Sequence, residues 1–272
     1  MIFMRSSPSL RTSMKKYLLP LLFFLILVAS CQKDNPASSK ELLYQVIGKR
    51  GSDSIVSTFW YDAQNRLSKE FLEDGFVVGQ TYTLTVTRDN NGRVTRIIDD
   101  VKSFTSGSQT TDFFYLSDTD KRIKYGKLVR NDTAYIDSMV YEYNSGLVTG
   151  VKHFLSGGSP YRLGWYDKYS YDSRNNIISY KFYEPDAGGI NLKLKDESLC
   201  TYDDKINPYY SKDDAFIDFL EFPWNSPNNM TSRRGVAGMA LNITYEYRTD
   251  GRPARRTSAI NGQITVYTYY YR

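Results

Sequence analysis

A short unit of strand, tight turn and strand is written repeatedly along this chain, and it decides what the chain can fold into. It appears as TFWYDAQNRLSKEF at 58–71, VTRDNNGRVTRII at 86–98 and VYEYNSGLVTGV at 140–151. It returns as YSYDSRNNIISYKF at 169–182 and TYEYRTDGRPARR at 244–256. FFYLSDTDKRIKY at 113–125 is a worn copy, and LCTYDDKINPYY at 199–210 keeps the first half only. The anchors Asn65, Gly92, Lys121, Gly146 and Asn175 stand 27, 29, 25 and 29 residues apart. In each copy an alternating aromatic strand enters, and Asp, Asn or Ser opens a turn by bonding the backbone ahead. Asn or Gly follows where the chain needs a positive φ. Each period holds two strands and two connections. The expected fold is therefore all-β, a long antiparallel meander of about fifteen strands, curled or closed into a barrel-like sheet.

Composition agrees. Tyrosine is the outlier with 24 copies, and tyrosine suits a pleated, half-buried surface. One segment, 204–238, breaks the pattern. There Ser211 or Asp213 caps an expected short helix near 211–220, with Phe216, Phe219 and Leu220 on one side, suited to plug an open barrel end. The repeats resume after it, so residues 41–272 read as a single domain.

The segment from Lys15 to Cys31, KKYLLPLLFFLILVASC, has the order of a secretory signal: basic start, short apolar run, small-residue cleavage site. The run is too short for a comfortable membrane span. Val28, Ala29, Ser30 and Cys31 resemble a bacterial lipobox. The resemblance implies that residues 1–30 are removed and that the Cys31 thiol carries a diacylglycerol. Met1 and Met14 are both candidate starts. Residues 31–40 then read as a polar tether, and a lipidated Cys31 leaves Cys200 as a small core residue without a disulfide partner. Arg5, Arg11, Lys15 and Lys16, with no acids among residues 1–31, account for four charges of the net +5, leaving +1 on the mature chain. That balance gives no footprint for nucleic acid.

The strings YDAQNRL, RDNNGRV and YDSRNNI resemble tyrosine-aspartate (YD) repeats of the Rhs type. The chain from 41 to 272 also resembles Bacteroidetes-type lipoproteins of unknown function with a porin-like β fold. YDDKINPYY, SPNN and the final YEYRTDGRP carry that resemblance best. It implies a β fold at the outer membrane, facing the periplasm or the cell surface, and it brings no catalytic residues. Gln32 after the lipidated cysteine points the same way by family analogy.

A membrane-spanning barrel is the neighbouring alternative. Tyrosines run along the whole apolar face rather than in two girdles, the sequence ends in Arg272 rather than an aromatic residue, and a lipid anchor would be redundant. The expectation is a barrel or sheet in water with an apolar interior.

Candidate chemistry is sparse. His153, the single histidine, sits in an alternating strand with no nucleophile motif and reads as chemically silent. Asp89-Asn90-Asn91-Gly92, Asp118-Thr119-Asp120 and Asp203-Asp204 offer calcium ligands but lack the distal Glu of an EF-hand; they read as turn formers. No carboxylate stands out for glycoside hydrolysis. Neither metal nor cofactor is expected. Tyr209, Tyr210, Phe222 and Trp224, with Phe216 and Phe219 nearby, are candidate contacts for a glycan or another envelope protein. Ser54, Thr133 and Ser138 lie in tripeptides resembling an O-glycosylation acceptor of this bacterial group. The expected function is a non-enzymatic cell-envelope lipoprotein with a structural or binding role. The alternatives are an envelope hydrolase acting on polysaccharide and an outer-membrane pore.

Overall fold

The computed structural model describes residues 41–272 apart from 78, 103–106, 131–135, 156–161, 187–190, 218–224 and 236–239. The segments assigned to the signal, the lipidated Cys31 and the tether lie outside the described residues. Leu42–Arg272 form one compact unit. Its first eight strands are β1 (Leu43–Arg50), β2 (Asp53–Tyr61), β3 (Leu67–Asp74), β4 (Gln80–Arg88), β5 (Val94–Lys102), β6 (Gly107–Tyr115), β7 (Ile123–Arg130) and β8 (Ile136–Asn144). The rest are β9 (Leu147–Leu155), β10 (Arg162–Tyr171), β11 (Ile177–Pro185), β12 (Leu192–Ile206), β13 (Asn228–Gly235), β14 (Ala240–Tyr247), β15 (Pro253–Ile260) and β16 (Gln263–Tyr271). Each pairs antiparallel with its neighbours in sequence, and β1 pairs with β16, Val46 opposite Tyr269 and Gly48 opposite Tyr267. The sheet is a closed barrel, which leaves no edge exposed. The expected meander is present, one strand longer than the repeat count suggested.

Up-and-down topology puts all even-to-odd connections at one end, here called the turn rim, and all odd-to-even connections at the far rim. The repeated motif builds the turn rim. Asp62 Oδ1 accepts the amides of Gln64 (2.9 Å) and Arg66 (3.0 Å), and its Oδ2 accepts Arg66 Nε (2.8 Å). Asp89 does the same for Asn91, Arg93 and Arg93 Nε. Asp172 repeats it with Arg174, Asn176 and the Asn176 side chain. In these turns Asn65, Gly92 and Asn175 take the positive φ, at 60°, 80° and 65°. Hydrogen bonds from the turn hold the carboxyls of Asp62, Asp89 and Asp172 below the usual range, against the opposing effect of burial.

A tyrosine on every even strand except β4 has a further task. Tyr61 donates to the Leu43 carbonyl (2.8 Å), Tyr115 to Val94 (2.8 Å), Tyr171 to Val148 (2.5 Å) and Tyr202 to Ile177 (2.8 Å). Tyr245 reaches Met230 (3.1 Å) and Tyr271 reaches Pro253 (2.9 Å). Tyr143 instead accepts the amide of Ile123 (2.8 Å). In each case a ring in the second half of an even strand latches onto the opening residues of the odd strand before it. Burial pushes the Tyr61, Tyr171 and Tyr202 hydroxyls up, so they stay protonated donors. The tyrosine excess is therefore largely a repeated latch as well as a packing surface.

Alternation sorts the two faces of the wall. Inward go Val46, Phe59, Leu84, Ile97, Phe113, Met139, Tyr141, Val151, Tyr169, Ile243 and Tyr269, all buried. Cys200 is buried with them, and burial pushes its thiol up to about 11. Outward go Thr83, Thr85 and Thr87 on β4 and a series of ion pairs. These are Arg96–Asp112 (2.5 Å), Lys152–Glu142 (2.5 Å), Lys181–Glu197 (3.3 Å) and Arg255–Glu246 (3.2 Å), each joining adjacent strands. The lumen is the apolar core, and the outer wall carries ion pairs and threonines between exposed apolar side chains such as Phe114, Val140, Leu199 and Ile264.

The described parts of the connection between β12 and β13, 207–217 and 225–227, sit at the turn rim. The connection is narrower than the expected insert 204–238, because β12 continues to Ile206 and β13 begins at Asn228. Its described helical part is one turn of 3-10 helix, Asp214–Ile217, with Ala215, Phe216 and Ile217 buried in the main core. Ser211 Oγ accepts the Asp213 amide (3.2 Å), as a capping hydroxyl does. Phe219 and Leu220 lie outside the described residues. The plug is tied to the wall by Arg88–Asp213 (2.8 Å) and by Tyr143 donating to Asp214 (3.1 Å).

Candidate functional site

The lumen changes character between its two ends. Toward the turn rim it is apolar and filled. Toward the far rim, β4 to β10 contribute Tyr82, Asp99, Gln109, Leu128, Arg130, Asp137, Met139, His153 and Trp165 to a cavity of about 240 Å³. Register explains the assembly. Asp99 lies opposite Gln109, Met139 opposite His153, and His153 opposite Trp165, all on inward-facing positions of adjacent strands.

His153 is the centre of this group. Its Nδ1 lies 3.3 Å from Asp137 Oδ2 and its Nε2 lies 3.2 Å from Asp167 Oδ2. All three side chains are buried. Two carboxylates flank the ring, Asp137 in hydrogen-bond contact with Nδ1 and Asp167 at ion-pair distance from Nε2. The ring stacks on Trp165, centroids 4.2 Å apart and planes 16° apart. Asp167 is fixed further by Tyr180 (2.6 Å) and by Trp165 Nε1 (3.1 Å). Gln109 Nε2 donates to Asp99 Oδ2 (2.7 Å), and burial raises the Asp99 carboxyl above the usual range. On the other side of the lumen burial pushes Glu70 up to about 7.

A second, smaller cleft of about 130 Å³ lies at the turn rim beside the plug, between Gly146, Tyr171, Tyr210, Asp213, Asp214 and Asn225. Burial pushes Asp214 up to about 6.

The residues singled out from sequence are distributed as follows. Tyr209 packs edge-on to Phe59 (5.8 Å) and Tyr269 (5.9 Å) against the smaller core cluster and is partly buried. The reason is that the chain turns inward at Asn207-Pro208, with Asn207 held by Ser226 and Pro227. Tyr210 is half-buried at the cleft. Phe222, Trp224 and Thr133 lie outside the described residues. Ser54 and Ser138 are on outward positions of β2 and β8, half-buried. Among the turn acids, Asp89 and Asp120 are held by amides and arginines of their own turns, Asp203 by the Lys205 and Asn229 amides and by Tyr247, and Asp204 by Lys205. Among the described residues no group of three or more His, Cys, Asp or Glu side chains is arranged to hold a metal ion.

The histidine cluster was not foreseen, although the sequence holds a signal for it. Ile97-x-Asp99, Asp137-x-Met139-x-Tyr141, Val151-x-His153 and Trp165-x-Asp167-x-Tyr169 put ionisable groups in phase with the apolar face. An ionisable residue in the buried phase needs a partner; which partner it meets depends on closure of the barrel.

A sixteen-stranded meander barrel with a plugged turn rim and a polar pocket at the far rim is the class of structure that these features define. Solved structures share the fold. One is a porin-like protein from Bacteroides uniformis, 11% identical, aligned over 85% of this chain and 98% of its own, with a TM-score of 0.52. Another is a porin-like protein from Bacteroides vulgatus, 12% identical, aligned over 85% of this chain and 99% of its own, with a TM-score of 0.51. No family model and no curated protein matches the chain. The fold is porin-like.

Proposed function

We propose that this chain is a non-enzymatic lipoprotein of the outer membrane, anchored through Cys31, whose barrel stands in water and binds a ligand in its lumen. One observation carries the reading: the outward wall is laced with ion pairs while the lumen is packed with apolar side chains. A barrel in lipid places its apolar side chains on the outer face, where a midplane Lys or Arg costs about 2–4 kcal/mol. The plug at the turn rim, with Phe216 at its centre, argues against a conducting lumen. The porin-like fold of the Bacteroides proteins supports a place in the same envelope.

Three measurements test this. Cys31→Ser should move the protein from the membrane fraction to the soluble fraction; retention at the wild-type level contradicts the anchor. Residues 41–272 should purify without detergent as a β-rich species. Wild-type protein added to planar bilayers should give no steps of conductance, and regular steps would favour the pore.

A further inference from the structure

We infer that the lumenal pocket at the far rim is a binding site for a small organic ammonium compound, seated against Asp99, Asp137 and the aromatic wall. This deepens the proposed reading of the barrel as a binding module and rests on it.

Two buried oxygens point to a missing donor. Asp99 Oδ1 and Asp137 Oδ1 accept no hydrogen bond, although both side chains line the cavity and both residues are more than nine-tenths buried. A buried carboxylate oxygen left without a donor is costly, and native structures rarely keep one without a purpose. The other oxygen of each carboxylate is already engaged, by Gln109 and by His153 respectively. What the two free positions share is the cavity between them.

The charges name the ligand's sign. Asp99, Asp137 and Asp167 bring three carboxylates. At most two cations stand against them, a protonated His153 ring and Arg130, which is exposed at the mouth. At least one negative charge is left over in a largely dry pocket. An anionic ligand would add to that excess. A neutral polyol would supply donors and leave the charge in place. A primary ammonium supplies three N–H donors and the balancing charge together.

The rest of the wall suits the organic part. Tyr82 and Trp165 offer aromatic surface, and aromatic rings attract cations. Leu128 and Met139 complete an apolar side. A cavity of about 240 Å³ has room for about six to eight heavy atoms at roughly 30 Å³ per water-sized group. The absence of a three-ligand metal cluster among the described residues also favours an organic cation over a metal ion.

Isothermal titration of the full-length lipoprotein in mild detergent tests the inference. The probes are cyclohexylamine against cyclohexanol, and benzylamine against benzyl alcohol. Each amine is matched to a neutral hydroxyl analogue of seven or eight heavy atoms, and the two pairs separate an aliphatic from an aromatic side as the organic part of the ammonium compound. At neutral pH at least one amine should bind ten-fold or more tighter than its neutral analogue. Asp99→Asn and Asp137→Asn should each weaken that binding ten-fold or more. Tyr210→Ala, at the opposite rim, should leave it unchanged. A thermal melt checks that each variant is folded; Asp99→Asn keeps the shape of its site and decides the matter if Asp137→Asn unfolds. Equal affinity for amine and alcohol, wild-type affinity in Asp99→Asn, or no binding of either amine would overturn the inference. Those failures leave the detergent-free solubility and the absent conductance untouched, so they are distinguishable from failure of the broader proposal.

Discussion

The turn rim and the far half of the lumen handle the same residue type in opposite ways. At the rim, Asp62, Asp89 and Asp172 face backbone amides and the side chain four residues on, Arg66, Arg93 and Asn176, and their carboxyls are held below the usual range. In the lumen, Glu70 and Asp99 face a dry interior and are raised by burial. The rim acids are satisfied by their own loop, within a span of five residues. The lumenal acids depend on strands far apart in sequence, as Asp99 depends on β6 and Asp137 on β9. The rim therefore specifies turns and register, while the lumen holds unspent electrostatic potential, which is where a ligand has something to gain.

The contrast is broken most severely at His153. Replacing it in His153→Leu leaves Asp137 and Asp167 buried without their shared imidazole partner, and the loss should reach about 3–5 kcal/mol in urea unfolding. A loss no larger than that of a rim aspartate would erase the distinction between the two regions. Phe216→Ala, which empties the centre of the plug, should cost about 3–4 kcal/mol by the same measurement.

The pH dependence sharpens the comparison because its sign differs between the regions. Glu70 has a folded value of about 7 against an ordinary 4.5, so the folded state binds more protons than the unfolded state between those limits. Its contribution therefore makes stability fall as pH rises from about 4.5 to 7. Glu70→Gln should flatten that slope, by about 1–3 kcal/mol across the window. The rim aspartates act oppositely. Their lowered values give stability that is present above the unfolded carboxylate range and lost as pH falls through the folded values. Asp89→Ala should cost about 1 kcal/mol at neutral pH and nothing in strong acid. Tyr171→Phe, which removes one latch, should cost about 1 kcal/mol with no pH dependence below the tyrosine range. Equal pH slopes in Glu70→Gln and the wild type would mean that the lumen is wetter than its burial suggests.

The same division explains what could be read from sequence. The turns were legible because Asp, the residue four positions on and the positive-φ Asn or Gly are local; a reader needs only 62–66 or 172–176 to see why the chain reverses. Strand alternation was legible for the same reason, and with it the all-β meander. Closure was not, because nothing in β1 or β16 alone says that Val46 meets Tyr269. The histidine cluster was hidden by the same distance: Asp137, His153 and Asp167 lie on three strands, and each by itself is an ordinary polar residue. Tyr209 shows the converse, since its neighbourhood in sequence is an aromatic cluster and its neighbourhood in space is the core.

The central claim is that this porin-like barrel has its core inside and water outside. Lys181 tests it most directly, because it sits on the outward face of β11, paired with Glu197. A spin label on Lys181→Cys, in the full-length protein mixed with outer-membrane vesicles, can be challenged with aqueous nickel chelate and with oxygen. The account predicts strong relaxation by the nickel chelate and weak relaxation by oxygen. Relaxation dominated by oxygen, as in a hydrocarbon environment, would contradict it.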